Sequence, residues 1–140
     1  MEGTLKGVKA ENIIKMQRDI SFRAKDERPP KQVKIVEETS KNSDIMYIEL
    51  DMPFPMTNRD FIQKRLFVRN KEDPEVVKQL GLWNWDHAYN IMMVESIERA
   101  EYPVKSKPIR AETSMNYLLL EENSNDKTFL HNNFQINCWH

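Results

Sequence analysis

Residues 44–65, DIMYIELDMPFPMTNRDFIQKR, predict two strands that are joined by a stiff loop. The segment DIMYIELD, residues 44–51, has the apolar alternation that is typical of a strand. In residues 52–58, Pro53 and Pro55 each remove a backbone hydrogen-bond donor, which excludes a central strand. We therefore expect a proline loop whose apolar side chains are Met52, Phe54 and Met56.

The segment RDFIQKRLFVRN, residues 59–70, is the longest alternating stretch of the chain and predicts a strand with two distinct faces. One face carries Phe61, Gln63, Arg65 and Phe67, and the other carries Ile62, Lys64, Leu66 and Val68. An apolar face that includes a few polar groups suits a curved sheet around a cavity. A solvated outer face explains the same pattern, so the alternation alone leaves both interpretations open.

Upstream of this region the sequence predicts one helix and one more strand. Residues 8–23 place Ala10, Ile13, Ile14 and Ile20 on one stripe of an amphipathic helix, which Pro29 and Pro30 terminate. VKIVEE, residues 33–38, has the period of a strand, and the polar turn SKNSD follows it. We expect this strand to form a hairpin with residues 44–51.

Downstream, the pattern predicts a short helix and three further strands. Asp73, Pro74 and Gly81 delimit a short helix over residues 71–81. The predicted strands begin near Tyr89 and extend over residues 109–122 and 128–137. Segregated helices and strands indicate the α+β class, with a curved antiparallel sheet of about six strands. We predict a single domain, divided into a helix and linker, residues 1–32, and the sheet, residues 33–140.

Composition narrows the classes of function. The 140 residues include 21 Lys and Arg against 22 Asp and Glu, so a basic surface for nucleic acid is not expected. The single cysteine, Cys138, excludes an internal disulfide and favours a reducing compartment. We therefore expect a cytoplasmic protein, with an organelle-associated (mitochondrial) subunit of an assembly as the alternative.

No catalytic constellation stands out in the sequence. The three glycines cannot form a glycine-rich phosphate loop, and no serine lies in a nucleophile elbow. His131, Cys138 and His140 are metal-ligand types, but a tetrahedral zinc site needs a fourth ligand. We predict a protein that is not an enzyme, with no cofactor and no metal site.

The central segment resembles the START family, the steroidogenic acute regulatory protein-related lipid transfer domains. The resemblance is closest to the phosphatidylcholine-transfer-like branch, which has a similar Pro-x-Pro-Met-x-Asn-Arg-Asp segment. It continues in order through three further stretches: SIERAEYP (96–103), KPIRAETSMNYLLLE (107–121) and QIN (135–137).

The resemblance implies a helix-grip fold, in which a curved antiparallel sheet closes over a long C-terminal helix. Between sheet and helix, members hold one phospholipid, sphingolipid or sterol. The family's domain is longer than this chain at both ends, so the C-terminal lid helix is expected to be absent here. The implied function is a lipid-binding or lipid-transfer module. The alternative is a degenerate START-like accessory subunit that docks into a larger assembly and transfers no lipid.

The resemblance and the strand alternation together predict the residues of a lipid site. These are Ile48, Leu50, Phe61, Gln63, Arg65, Glu112 and Asn116. Phe61 matches a tunnel aromatic of the family, but Ile48 and Ser114 stand where the branch has choline-binding aromatics, so choline specificity is not expected. A buried arginine needs a partner, and we expect Arg65 to meet Glu112 or a lipid phosphate or hydroxyl.

A second group of residues is predicted to contact a membrane surface or a protein partner. Such a protein partner would cover the open face of the sheet. It consists of Met52, Phe54 and Met56 of the proline loop and of Trp83 and Trp85. Exposed apolar and aromatic side chains mark such surfaces, but the same residues could pack on the sheet edge or seal the core.

Overall fold

A nine-stranded sheet and two helices make up the part of the chain that the structure, a computed structural model, describes. The described residues are 2–69, 75, 88–122, 127–133 and 136–138. The elements are β1 (Glu2–Lys6), α1 (Ala10–Arg18), α2 (Ile20–Arg23), β2 (Gln32–Ser40), β3 (Ser43–Leu50), β4 (Arg59–Arg69), β5 (Ala88–Ser96), β6 (Ile109–Thr113), β7 (Asn116–Glu122), β8 (Lys127–Asn133) and β9 (Ile136–Cys138).

The sheet is curved and almost entirely antiparallel, which confirms the predicted α+β class. Seven strands follow the order β1-β8-β7-β5-β4-β3-β2, while β6 pairs in parallel with β4 and antiparallel with β9. At one edge, the register of β2 shifts between Ile35 and Glu37 and again between Glu38 and Ser40. No helix within the described ranges is both long enough and apolar enough to span a membrane.

Helix α1 covers one face of the sheet, here called the inner face. Its apolar stripe of Ala10, Ile13 and Ile14 packs against Phe67 of β4 and against buried leucines of β7. The helix predicted over residues 8–23 is divided at Asp19, because the Asp19 carboxylate accepts a hydrogen bond from the Ser21 backbone N–H at 2.9 Å and so starts α2.

The alternation predicted for β4 is confirmed, since its two sets of side chains enter different clusters. On the inner face, Phe61 belongs to a cluster with Met46 and Ile48. On the opposite, outer face, Ile62 packs with Ile45 and Tyr47. The sheet is therefore apolar on both sides along β3 and β4.

Two predictions about strands are wrong in detail, and one strand was not predicted. Residues 109–122 form two strands, because the chain changes partners at Ser114 and Met115. Residues 128–137 likewise contribute to two strands, β8 and β9. The sequence does not predict β1, whose only large apolar residue is Leu5 and which forms by pairing with β8. The short helix predicted over residues 71–81 lies outside the described residues, except for Glu75.

A polar network on the outer face fixes the start of β4. Asp60 is buried and accepts hydrogen bonds from Arg110 Nε at 2.9 Å and from the Tyr47 hydroxyl at 3.2 Å. Tyr102 stacks on Tyr47, with ring centroids 4.8 Å apart, and its carbonyl oxygen accepts a further hydrogen bond from Arg110. Burial raises the pKa of Tyr47 to about 12, and the negative charge of Asp60 adds to that rise.

The raised pKa of Tyr47 predicts a specific dependence of stability on pH. Between pH 10 and 12 the unfolded chain loses the Tyr47 proton while the folded protein keeps it, so the free energy of unfolding falls as pH rises. Tyr47→Phe loses the hydrogen bond, at a cost of about 1 kcal/mol near neutral pH, but also loses this pH dependence. In urea titrations the wild type should therefore lose its advantage over the variant between pH 10 and 12. A constant difference across that window would contradict the network. Tyr117→Phe, at an exposed tyrosine, is the matched control.

Candidate functional site

A cavity of about 250 Å³ lies between the inner face of the sheet and the two helices. It is open on one side. Its apolar lining comes from β3, β4, β5 and β7, and Gln17 and Arg23 contribute from the helices. The apolar side chains that line it are Ile48, Leu50, Phe61, Met92, Val94 and Leu118.

A few polar groups interrupt this apolar lining. Gln63 Nε2 donates to Thr113 Oγ1 at 2.8 Å, and the Thr113 backbone N–H donates to Ser96 Oγ at 2.7 Å. Asn116 is buried beside them. Gln63, Thr113 and Asn116 therefore form a fixed polar patch within an apolar cavity, an arrangement that orients bound small molecules.

The structure brings five of the seven predicted lipid-site residues together around this cavity. These are Ile48, Leu50, Phe61, Gln63 and Asn116. Their role in binding lipid stays a prediction. Glu112 was expected beside them but is exposed, and it lines a different pocket with Ile62 and Arg110. Thr113 takes its place, because the break after β6 shifts the alternation of side chains by one residue.

Arg65 forms a buried ion pair with Asp44. The two residues stand directly opposite each other in the β3–β4 register, so their side chains leave the sheet on the same face. Arg65 Nε and Nη2 donate to the two Asp44 carboxylate oxygens, each at 2.7 Å. Arg65 is 1% exposed, which makes this bidentate pair the most deeply buried charge contact of the described residues.

The same guanidinium also holds the end of α1. Arg65 Nη1 donates to the Gln17 carbonyl oxygen at 2.9 Å, and Nη2 donates to the Arg18 carbonyl oxygen at 3.3 Å. These carbonyls belong to the last turn of α1, where a helix lacks internal donors and favours a positive charge. The predicted contact between Arg65 and Glu112 is therefore wrong, because Asp44 and the helix end occupy the Arg65 donors.

Arg23 is a site residue that the sequence analysis missed. It lines the cavity from α2, and its Nε is buried with no hydrogen-bond partner among the described residues. Its only hydrogen bond in that set is a long one, from Nη2 to Gln17 Oε1 at 3.5 Å. Burial, followed by the nearby positive charge of Arg65, lowers the pKa of the Arg23 guanidinium. Arginine nevertheless remains charged, so the cavity contains an incompletely paired cation.

The proline loop is exposed at its tip and anchored at its base. Phe54 is 97% exposed, and Met56 is exposed as well, whereas Met52 is half-buried. At the base, Asn58 accepts a hydrogen bond from the Met52 backbone N–H at 3.0 Å and donates to Glu49 Oε1 at 3.3 Å. The loop therefore presents Phe54 to solvent from a fixed base. Trp83 and Trp85, predicted to contact the same partners, lie outside the described residues.

Solved structures similar to this one are lipid transfer domains. Human STARD10 superposes with a TM-score of 0.79 at 20% identity. The human StAR-related lipid transfer protein 5 superposes with a TM-score of 0.73 at 15% identity. A STAR-related lipid transfer protein from Xanthomonas axonopodis superposes with a TM-score of 0.64 at 14% identity. The chain has the START fold. No protein-family model matches the sequence, and no curated protein matches it either.

The START fold is shared over nearly the whole of this chain but over only part of the similar structures. The superposition on STARD10 covers 98% of this chain and 49% of STARD10. The superposition on the human StAR-related lipid transfer protein 5 covers 96% of this chain and 58% of that protein. The superposition on the bacterial protein covers 98% of this chain and 66% of that protein. The chain thus spans about half to two thirds of the length of these structures. The assignment to the phosphatidylcholine-transfer-like branch stays a prediction.

In this START fold we expect that removing one partner of the Arg65–Asp44 pair lowers the free energy of unfolding more than removing one partner of any other described polar contact. Asp44→Ala leaves a buried guanidinium without its carboxylate and should lower the free energy of unfolding by about 3–5 kcal/mol. Replacing both partners, as in Asp44→Leu with Arg65→Met, removes the uncompensated charge and should cost less than Asp44→Ala alone. Urea denaturation of Asp44→Leu, of Arg65→Met and of the double variant measures this coupling. Additive losses would show that the two side chains do not stabilise each other.

Proposed function

We propose that the chain binds one lipid in the cavity between the inner face and the helices, without catalysing a reaction. The observation that carries this proposal is the combination of an apolar cavity with one incompletely paired cation, Arg23, at its wall. Apolar walls suit an acyl chain or a ring system, and the cation suits a polar headgroup. The START fold, which the similar lipid transfer proteins share, supports the same conclusion.

The apolar lining supplies the driving force for binding. Removing one methylene group from water contributes about 0.8 kcal/mol, so a few buried methylenes favour the cavity over solution by several kcal/mol. The cavity volume of about 250 Å³ is just below the range of about 300–1,000 Å³ that is typical of small-molecule sites. We infer that the described walls enclose the headgroup-proximal part of a lipid, while the open side accommodates the remainder.

The charges in and beside the cavity favour a headgroup that contains an anionic group. The Asp44 carboxylate balances Arg65, with which it forms two hydrogen bonds, whereas Arg23 keeps an unsatisfied Nε–H. A phosphate oxygen beside the Arg23 guanidinium would gain a charge-assisted hydrogen bond, which is stronger than a neutral one. We therefore favour a phospholipid over a sterol, and Arg23 rather than Arg65 as the headgroup contact.

Native mass spectrometry of the purified chain, followed by solvent extraction, tests this function. The wild type should carry one phospholipid per chain. Arg23→Leu should weaken phospholipid binding roughly 10- to 100-fold, because a hydrogen bond to a charged group contributes about 1.5–3 kcal/mol. Arg28→Leu is the matched control, since Arg28 is exposed and does not line the cavity.

The two main outcomes separate the candidate functions. A wild-type chain that is folded but carries no lipid, even after incubation with phospholipid vesicles, would contradict lipid binding. That result would favour the degenerate accessory subunit, which docks into an assembly and binds no lipid. Equal phospholipid binding by the Arg23 and Arg28 variants would support lipid binding but would contradict the contact between Arg23 and the headgroup.

We also propose that the proline loop contacts a membrane during lipid exchange. Phe54 projects into solvent from an anchored loop, and transferring an aromatic side chain into a bilayer interface removes apolar surface from water. Phe54→Ser should reduce co-sedimentation with phosphatidylcholine vesicles several-fold while leaving the amount of lipid already bound in the cavity unchanged. Phe22→Ser, which removes an exposed phenylalanine from α2, is the control. Equal loss in both variants would mean that the proline loop has no special part in membrane contact.

A further inference from the structure

A second pocket, here called the fork pocket, lies where two strands share one edge of β4. Strand β3 occupies the opposite edge, so β5 and β6 both pair on this one. The β5 pairing begins at Gln63, whereas β6 pairs at Arg59 and Asp60, which leaves Phe61 and Ile62 between the two pairings. The strands diverge at this point, and a pocket of about 310 Å³ opens there on the outer face.

The fork pocket has apolar walls and is distinct from the cavity beneath the helices. Its apolar side chains are Ile62, Ile97, Val104 and Ala111. Of the described residues, only Thr113 lines both the fork pocket and that cavity. Val104 is 72% exposed, so the described chain leaves this part of the wall uncovered. An occupant of the fork pocket therefore gains apolar contact without entering the proposed lipid site.

Two carboxylates in the lining of the fork pocket have no cationic partner among the described residues. Glu98 and Glu112 both line the pocket, and both are exposed. Arg110 lines it as well, but the Asp60 carboxylate accepts two hydrogen bonds from Arg110, at 2.9 and 3.1 Å, and balances its charge. The lining therefore carries two uncompensated negative charges beside its apolar walls.

The other cations of this region do not line the fork pocket. Arg99 follows Glu98 in the chain, but it donates to Glu37 at 2.6 Å and to Glu101 at 3.1 Å. Lys105 and Lys107 lie in the loop before β6 and are absent from the described lining. The negative charge belongs to the pocket itself, and charge complementarity favours a cationic occupant.

We propose that the fork pocket is a docking site for a lysine side chain of a protein partner. A lysine combines an apolar stem with a charged end, so its methylene groups contact Ile62 and Ile97 while its ammonium group pairs with Glu98 and Glu112. The partner surface around the lysine covers Val104, which a free amine would leave exposed. This docking site lies outside the lipid cavity and does not depend on the proposed function.

Titration of the ¹⁵N-labelled chain with a short peptide, followed by NMR, tests the proposal. The probe is acetyl-Ala-Leu-Lys-Leu-Ala-amide, and its control carries norleucine, which has a similar stem without charge, in place of lysine. The lysine peptide should shift the amide signals of the residues that line the fork pocket. The norleucine peptide should bind roughly three- to tenfold more weakly, because each exposed ion pair contributes a factor of up to about five. Added salt should reduce this difference.

Three double variants locate the charges that bind the peptide. E98Q/E112Q should weaken binding of the lysine peptide roughly three- to tenfold and leave binding of the norleucine peptide unchanged, which shows that the pocket is still folded. E27Q/E38Q removes the same charge from exposed acids that do not line the pocket, and it should bind both peptides as the wild type does. K105Q/K107Q removes the lysines of the neighbouring loop and should bind the lysine peptide at least as tightly as the wild type.

Three results would overturn the proposal. One is equal binding of the lysine and norleucine peptides by the wild type. Another is equal binding of the lysine peptide by the wild type and E98Q/E112Q, because the two carboxylates would then have no part in recognition. The third comes from pentylamine, a free amine with a similar stem. If pentylamine binds as tightly as the lysine peptide, the fork pocket takes a small amine and not a protein partner.

Discussion

The buried ion pair between Arg65 and Asp44 is the interaction on which the inner half of the structure depends. It connects β3 to β4 by two hydrogen bonds, and through the carbonyl oxygens of Gln17 and Arg18 it connects both strands to the end of α1. The position of α1 determines where α2 starts, and α2 contributes one wall of the cavity. The Arg65 guanidinium thus fixes the position of the helices on the sheet and, through the helices, the position of one cavity wall.

This arrangement gives the two arginines different roles. Arg65 donates to a carboxylate and to a helix end, so its charge is compensated inside the protein. Arg23 lies at the cavity wall with a buried Nε that has no partner in the described residues. A buried donor without an acceptor is costly, and a ligand that supplies the acceptor recovers that cost. The structure therefore contains one arginine whose charge is compensated inside the protein and one whose Nε lacks a partner among the described residues.

The sequence predicted the features that depend on local periodicity and missed those that depend on register. Alternation was enough to place Phe61 and Gln63 on one face of β4. The pairing of Asp44 with Arg65 requires the length of the connecting loop, which alternation does not give. Glu112 was misplaced because a break at Ser114 and Met115 shifts the alternation, and no local signal marks that change of strand partner.

Strand β2 has a consequence for the chain's behaviour in solution. Among the described residues it lies at an edge of the sheet, and an unpaired edge is a template on which a strand of another molecule can add. The two register shifts in β2 interrupt the regular spacing of its free backbone groups, and the exposed charges of Lys34, Glu37 and Glu38 oppose close approach. Both features oppose the extension of the sheet from one molecule to another along β2.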